Sequence, residues 1–238
     1  MKNNQEPGFR HELKFLLSKT ESEIFKKRLD ILLSRDLHAD NGVYMIRSLY
    51  FDDRDESAYF EKMSGIESRK KYRIRFYNGN DDVIRLERKR KEGQYIQKVS
   101  AKLTRQEVDQ ILVGQYDFLR FRKEKLCQDF YMECMVKGMR PAVIVDYERE
   151  PFVYPYGDVR ITFDSSIRAG LYEHTPFDMD MPVVEVIDRD KLILEVKYTE
   201  YLPEMIRDIL PIADSVQVAF SKYTMCLEKK KELSGVLE

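Results

Sequence analysis

The chain contains 238 residues with 41 basic and 42 acidic side chains, a formal net charge of −1 and three cysteines. This length can bury a substantial core and predicts one domain over residues 1–238, while the balanced charge excludes a bulk electric field that would attract nucleic acid or a membrane surface. The odd number of cysteines and the lack of C-x-x-C spacing argue against a disulfide framework and a cysteine zinc site, and the lack of a signal peptide or an apolar run of about 18 residues predicts a soluble cytoplasmic protein.

The hydrophobic pattern predicts about nine strands and roughly five or six helices. The first strand covers residues 10–17, and the helix after it opens with a capping box of Thr20 and Glu23. A second strand at 43–52 precedes a short helix capped by Asp55. The other predicted strands are 69–77, 83–91, 94–100, 142–150, 158–164, 183–187 and 191–198, and the other predicted helices begin at the capping box of Thr104 and Glu107, cover 122–137, follow Pro203 and begin near Ser221. Long strands joined largely by tight turns favour an antiparallel sheet or barrel over a βαβ arrangement.

Charged residues occupy alternate positions in nearly every predicted strand. Successive strand side chains point to opposite faces, so segment 69–77 presents four cations on one face and apolar residues on the other. The charged faces hold Arg69, Lys71, Arg73 and Arg75; Arg85, Glu87, Lys89 and Lys91; Lys98; Tyr147 and Arg149; Arg160, Thr162 and Asp164; Glu195 and Lys197; and Arg10, Glu12 and Lys14. Like charges two residues apart repel, so removing Arg73 or Arg75 is expected to raise the melting temperature of the free protein.

Two arrangements explain this alternation. An antiparallel sheet with one face in water produces it, but a solvated face usually mixes its charges, whereas segment 69–75 stacks four cations. A sheet that closes with its charged faces inward would form a polar tunnel suited to a polyanion and a metal ion. The chain has neither a P-loop nor a G-x-G-x-x-G loop, so any phosphate must be bound by side-chain cations.

The motifs at these positions resemble those of the triphosphate tunnel metalloenzyme (CYTH-like) superfamily, and most closely the catalytic domain of the vacuolar transporter chaperone (VTC) polyphosphate polymerases. The stretches that carry the resemblance are HELKF at 11–15, SLYFD at 48–52, KYRIRFY at 71–77, LERK at 86–89, YER at 147–149, VRITFD at 159–164, LEVK at 194–197 and FSK at 220–222. The resemblance implies an α+β fold in which an antiparallel β-barrel forms a triphosphate tunnel and is clad by helices.

The resemblance also implies roles for particular residues. The residues expected to take part in catalysis are Arg73, Arg75, Lys89, Arg149, Arg160 and Lys222, and those expected to bind substrate are Lys14, Lys71, Lys98, Tyr147 and Lys197. Glu195 would hold a divalent metal, with Glu12 and Glu87 as helpers. Oxygen ligands of this kind suit Mn²⁺ or Mg²⁺ as the cofactor.

The function that the resemblance implies is an ATP-dependent polyphosphate polymerase, with ATP and inorganic polyphosphate as partners and neither nucleic acid nor membrane. The sequence leaves the oligomeric state open. A metal-dependent triphosphate hydrolase, acting on inorganic triphosphate, thiamine triphosphate or an RNA 5′ end, is an alternative, and so is a non-catalytic polyphosphate-binding module. Arg10 stands where the superfamily's hydrolases typically have a glutamate, which favours the polymerase.

Overall fold

The computed structural model describes residues 10–36, 42–93, 95–210 and 220–235. Its strands are β1 (His11–Ser18), β2 (Ser34–Arg35), β3 (Tyr44–Asp52), β4 (Arg69–Tyr77), β5 (Asn80–Glu92), β6 (Tyr95–Leu103), β7 (Arg140–Tyr154), β8 (Val159–Gly170), β9 (Val183–Glu185) and β10 (Lys191–Tyr198). Its α-helices are α1 (Lys19–Leu32), α2 (Ser57–Met63), α3 (Arg105–Leu112), α4 (Lys125–Lys137), α5 (Glu204–Arg207) and α6 (Lys222–Leu233), and short 3-10 helices cover Asp117–Phe121 and Tyr156–Asp158.

The strands form one antiparallel sheet. Eight of them follow the path β1-β10-β8-β7-β3-β4-β5-β6, while β2 pairs with β7 and β9 pairs with β8. The sheet curls until its two edge strands meet, where the Arg10 amide donates a hydrogen bond to the Ile96 carbonyl at 3.2 Å. The predicted α+β fold with an antiparallel barrel is therefore confirmed, with a single backbone bridge joining the two edges in the part of the chain that is described.

Two of the three predicted helix caps differ from the structure. The α1 capping box is formed by Ser18 and Glu21, two residues earlier than Thr20 and Glu23, because β1 runs directly into the helix. Both pairs have the S/T-x-x-E spacing, so spacing alone could not separate them. The predicted box of Thr104 and Glu107 is confirmed.

The α2 helix is capped from the strand that precedes it rather than by Asp55. The Asp53 carboxylate accepts a hydrogen bond from the Ser57 amide at 2.8 Å. The Asp52 carboxylate accepts from the Ala58 amide at 2.9 Å and the Tyr59 amide at 3.1 Å. The end of β3 thus fixes the start of α2.

Apolar residues on the convex side of the sheet pack beneath helices. Phe76 and Leu86 lie in one cluster with Phe130 of α4, and Phe163 and Leu194 lie in another. These residues alternate with the charged strand positions, as predicted. Burial of such side chains is the main favourable contribution to folding, about 25 cal/mol per Å² of apolar surface.

A third apolar cluster lies on the concave side. Val145 and Ile193 share strand faces with Tyr147 and Glu195, and they pack against Tyr223 of α6. The sequence predicted helices around the barrel, whereas α6 fills part of its interior. The charged residues therefore line only the remaining part of the concave side, next to the N-terminus of α6.

Candidate functional site

A cavity of about 540 Å³ opens on the concave side of the sheet. Eleven of the fourteen residues predicted for the site line it. From the strands come Glu12, Lys14, Lys71, Arg73, Arg75, Lys89, Tyr147, Arg149, Glu195 and Lys197, and from α6 comes Lys222. The remaining three, Glu87, Lys98 and Arg160, lie elsewhere, and their contacts are described below.

Two carboxylates and two lysines form a network of ion pairs on β1 and β10. Lys14 is directly opposite Glu195 in the strand register, and Glu12 is directly opposite Lys197. The Lys14 Nζ lies 2.9 Å from Glu12 Oε1 and 3.4 Å from Glu195 Oε1. Lys197 donates to Glu195 at 2.7 Å and Lys89 donates to Glu12 at 2.6 Å. Burial would raise the pKa of Glu195, but Lys197 and Lys14 outweigh it and hold that pKa well below its usual value.

Two of the three arginines of β4, Arg73 and Arg75, have different hydrogen-bond partners. The Arg73 Nε and Nη2 atoms donate to Glu87 Oε2 at 2.8 and 2.6 Å, whereas Arg75 Nη2 donates to the Tyr147 hydroxyl at 2.9 Å. Lys98 donates to the other Glu87 oxygen at 3.0 Å while its side chain remains 51% exposed. Glu87 is therefore a buried anchor for cations rather than a residue of the cavity wall, and Lys98 lies outside the cavity.

Asp164 performs the same role for a second pair of cations. It is fully buried, and its carboxylate accepts from Arg149 Nε at 2.6 Å and from Arg149 Nη2 at 2.7 Å. Lys222 Nζ lies 2.6 Å from the same carboxylate. Burial would raise the pKa of Asp164, but these two cations hold it below its usual value. The sequence predicted that Asp164 lies on the same face of β8 as Arg160, because the two residues are an even number of positions apart. It did not predict that Asp164 holds two cations.

Arg160 was predicted to contact phosphate in the cavity, but the structure places its side chain outside the cavity wall. Nearby groups hold its guanidinium there. Its Nη2 atom donates to Asp36 at 2.7 Å and to the Tyr44 hydroxyl at 3.1 Å. Strand parity places Arg160 on the same face as Asp164, but parity does not define which neighbour the flexible side chain will contact. Its role in phosphate binding has no support from this geometry.

Within the part of the chain that the structure describes, Lys71 contacts neutral groups at the N-terminus of α6. Its Nζ donates to the Ser221 hydroxyl at 3.0 Å and lies 4.4 Å from the centre of the Tyr223 ring. Burial lowers the pKa of Lys71 well below its ordinary value, and the neighbouring cations Arg69 and Lys14 lower it further. A bound anion would therefore stabilise the charged form of the Lys71 side chain.

Comparisons with known proteins agree with this geometry. The family model of the VTC domain matches residues 9–230. The chain belongs to the VTC domain family. Among solved structures, a protein from Bacillus halodurans described as an adenylate cyclase superposes with a TM-score of 0.55 at 15% identity over 90% of this chain and 94% of that chain. A protein from Hippeastrum, described as an adenylyl cyclase with a dominant triphosphatase activity, superposes with a TM-score of 0.55 at 12% identity over 94% of this chain and 96% of that chain.

These similarities show that the VTC domain has the triphosphate tunnel fold. At such low identity they show the fold alone. No helix in the described ranges combines the length and the apolar character needed to cross a membrane.

Two of the described carboxylates, Glu12 and Glu195, line the cavity and would be the ones to hold a divalent metal there. Glu12 Oε1 is buried and accepts no hydrogen bond of normal geometry from any described residue, although Lys14 Nζ lies 2.9 Å away. The described residues contain no group of three or more histidine, cysteine or acidic side chains placed so that they could hold a metal ion by themselves. Mg²⁺ is typically bound by one or two carboxylates together with substrate phosphates and water, so this pair fits such an ion when a phosphate supplies further ligands.

Sequence reasoning missed several residues of the VTC domain that line the cavity. One of them is Tyr50, an uncharged residue whose hydroxyl accepts a hydrogen bond from Arg73 at 2.8 Å. The other missed residues include Lys62, Arg69, Lys91, Ser221 and Tyr223. Strand parity had already placed Arg69 and Lys91 on the charged faces without assigning them a role, whereas Lys62 lies on a helix that carried no such signal.

Proposed function

We propose that this VTC domain is an ATP-dependent polyphosphate polymerase. The observation that carries the proposal is the charge of the cavity wall, which holds eleven lysine and arginine side chains and two carboxylates. A wall of this kind favours a long polyanion over a neutral or singly charged substrate. Arginine supplies paired donors with fixed geometry and lysine supplies point charge, which together suit phosphate groups.

The reaction transfers the γ-phosphoryl group of ATP to the end of inorganic polyphosphate. A terminal oxygen of the polyphosphate forms a bond to the γ-phosphorus, and the bond from that phosphorus to the bridging β,γ oxygen breaks. ADP leaves with the electron pair of that bond, and the polymer is longer by one phosphate. The nucleophile is already anionic, so this reaction requires no protein nucleophile or general base.

The residues of the cavity would position the two phosphate chains in line and neutralise the charge that develops between them. Arg75 and Tyr147 contact one another, so both can present donors to one phosphate group. Asp164 holds Arg149 and Lys222 together as a second group of cations. Mn²⁺ or Mg²⁺, held by Glu12 and Glu195, would supply further charge neutralisation on the phosphate oxygens.

The alternative is a triphosphate hydrolase, which the activity stated for the Hippeastrum protein supports at the level of the fold. A hydrolase must activate water, usually with a metal and several surrounding carboxylates. Both carboxylates of this cavity wall contact lysines, and Arg10 forms an ion pair with Asp158 at 2.6 Å near the protein surface. These contacts favour the polymerase. A non-catalytic polyphosphate-binding module would have no use for the Glu12 and Glu195 pair.

We place the reaction in the cytoplasm, where ATP is available. The three cysteines, Cys127, Cys134 and Cys226, are free and buried. Free thiols are usual in reducing compartments.

The product formed from ATP and Mn²⁺ distinguishes these functions. We expect net formation of long polymer with ADP as the second product, while orthophosphate remains minor. Glu195→Gln should abolish this activity because it removes charge from the proposed metal site, whereas Glu204→Gln, at a position 79% exposed, should leave it unchanged. ADP, orthophosphate and polymer are followed together in one time course. Stoichiometric orthophosphate without polymer would identify a hydrolase, and binding without turnover would identify a binding module.

Binding of inorganic triphosphate is expected to cause proton uptake at Lys71. The pKa of this lysine is lowered in the free protein by burial and by neighbouring cations such as Arg69, and a bound phosphate would raise it toward the ordinary value of about 10.4. The affinity should therefore fall as the pH rises from the free-state pKa to the bound-state pKa. Calorimetry in two buffers with different ionisation enthalpies measures the uptake. Lys71→Met should reduce it, and Lys70→Met, on the opposite strand face, should preserve it; an unchanged uptake in Lys71→Met contradicts this assignment.

A further inference from the structure

Tyr50 lines the cavity, and the proposed reaction assigns it no role. It lies on β3 between Arg73 of β4 and Val143 of β7, its two partners in the strand register. Its ring centre is 5.2 Å from the ring centre of Tyr223 in α6, and the whole residue is only 9% exposed. The sheet and a helix therefore fix the position of its hydroxyl.

The hydroxyl of Tyr50 accepts a hydrogen bond but donates none to any residue in the described ranges. Arg73 Nη1 donates to it at 2.8 Å. Arginine has no acceptor atom, so it occupies a lone pair of the hydroxyl and leaves the proton to another partner. Tyr223 differs, because its hydroxyl donates to the buried carboxylate of Asp52. The proton of Tyr50 is thus available to a ligand in the cavity.

Nearby arginines make the Tyr50 hydroxyl a stronger donor. Burial would raise the pKa of Tyr50, but Arg73 and Arg75 outweigh burial and hold that pKa below its ordinary value. Cations that stabilise the anionic form of a hydroxyl in this way also polarise its O–H bond. Tyr50 is therefore a neutral but acidified donor in a wall whose other donors are mostly full charges.

Arg73 is itself committed on two sides. Its Nε and Nη2 atoms donate to Glu87, and its Nη1 atom donates to Tyr50. Three of the five N–H groups of this arginine consequently have partners within the protein. A ligand that approaches Arg73 from the cavity meets the Tyr50 hydroxyl together with the N–H groups that remain.

A second arginine and tyrosine repeat this arrangement two residues further along β4. Arg75 Nη2 donates to the Tyr147 hydroxyl at 2.9 Å, and two strand residues correspond to a separation of about 7 Å between Arg73 and Arg75. Pairs at this spacing can contact different atoms of one phosphate chain. Tyr50 is therefore placed for a role of its own, separate from the phosphate binding expected of Tyr147.

The β,γ bridging oxygen of ATP is the atom on which negative charge develops when the phosphoryl group is transferred. It is a poor acceptor in the bound substrate, and it becomes a strong one as its bond to the γ-phosphorus breaks. A hydroxyl donor at this atom would bind the transition state more tightly than the substrate, which raises kcat. We propose that Tyr50 is a further catalytic residue, whose hydroxyl donates a hydrogen bond to this bridging oxygen during transfer.

This inference rests on the proposed function and adds a residue that touches the reacting atoms. The electron pair of the broken bond stays on the bridging oxygen as ADP leaves. The proton remains on Tyr50, because the terminal phosphate of ADP is a stable anion. Tyr50 thus acts as a hydrogen-bond donor and not as a general acid, while Arg73 orients its hydroxyl.

The test follows the release of ADP from ATP, because ADP reports cleavage of the β,γ bond whichever acceptor takes the phosphoryl group. We expect Tyr50→Phe to lower kcat about tenfold to a hundredfold, as for the loss of one hydrogen bond to a charged oxygen. The affinity for inorganic triphosphate, measured by calorimetry, should change less than about twofold. Tyr72→Phe is the matched control, because the Tyr72 ring lies on the opposite face of the sheet beside Phe130. It should change neither quantity.

An unchanged kcat in Tyr50→Phe overturns this assignment. A loss of triphosphate affinity as large as the loss of kcat also overturns it, because Tyr50 would then act only by holding Arg73 in its phosphate-binding position. The proposed function fails separately. If the wild-type protein releases ADP with orthophosphate and no polymer, it is a hydrolase, and the same kcat decides the role of Tyr50 because the same bond breaks. A wild-type protein that releases no ADP contradicts both proposals.

Discussion

Replacing Arg73 by alanine is expected to reduce triphosphate affinity about tenfold to a hundredfold, because a charge-assisted hydrogen bond contributes roughly 1.5–3 kcal/mol. The same substitution should destabilise the free protein. Arg73 donates two hydrogen bonds to Glu87, whose side chain is 1% exposed. Removing one partner of a buried ion pair typically costs about 3 kcal/mol or more, which lowers the melting temperature of a chain this size by roughly 6–12 °C. This sign is opposite to the one expected from the crowding of cations along the sequence.

Lys71→Met is the matched substitution on the same strand face. Lys71 forms no ion pair with a carboxylate of the described residues and contacts Ser221 and Tyr223, so its removal relieves desolvation and repulsion. We expect this variant to lose triphosphate affinity like Arg73→Ala but to melt at a higher temperature than the wild type. Calorimetry and thermal unfolding of both variants, without ligand, provide the measurement. If the melting temperatures of both variants shift in the same direction, the ion pair with Glu87 does not explain a difference in stability between positions 73 and 71.

Replacing Asp164 by asparagine is expected to lower turnover about a hundredfold without weakening triphosphate binding. The carboxylate holds both Arg149 and Lys222. An asparagine amide has the same shape but carries no negative charge and has only one acceptor oxygen, so it cannot hold both cations. The cavity gains one positive charge, which favours anion binding, while the orientation of the two cations is lost. Positional errors of this kind affect the reaction more than the binding.

The kinetic constants of Asp164→Asn test this role directly. We expect kcat to fall while KM stays unchanged or decreases, and we expect the melting temperature of the free protein to fall because a buried pair is broken. Asp158→Asn is the control, since Asp158 is 61% exposed in its contact with Arg10. A variant that retains kcat but has a raised KM would contradict a positioning role for Asp164.

The direction in which strand side chains point could be predicted from the sequence. The period of a strand is two residues, so each charged position, once its strand is recognised, has one of only two faces available. Arg73 and Arg75, Glu12 and Lys14, and Glu195 and Lys197 consequently line one cavity as expected. The same periodicity placed Phe163 and Leu194 in the apolar layer on the convex side.

The partner of each charge was decided only by the tertiary structure. Glu87 has the parity of a cavity residue, but its cross-strand neighbour is Arg73 and its carboxylate is held there. Arg160 likewise contacts Asp36, which is far from it in the sequence. Period-two patterning defines a face but neither depth in the barrel nor long-range contacts, because these depend on register and on how the sheet curls. The position of α6 inside the barrel has the same origin: Tyr223, Cys226 and Leu227 of this helix are buried, but only the closure of the sheet determines that the surface they pack against is the concave one.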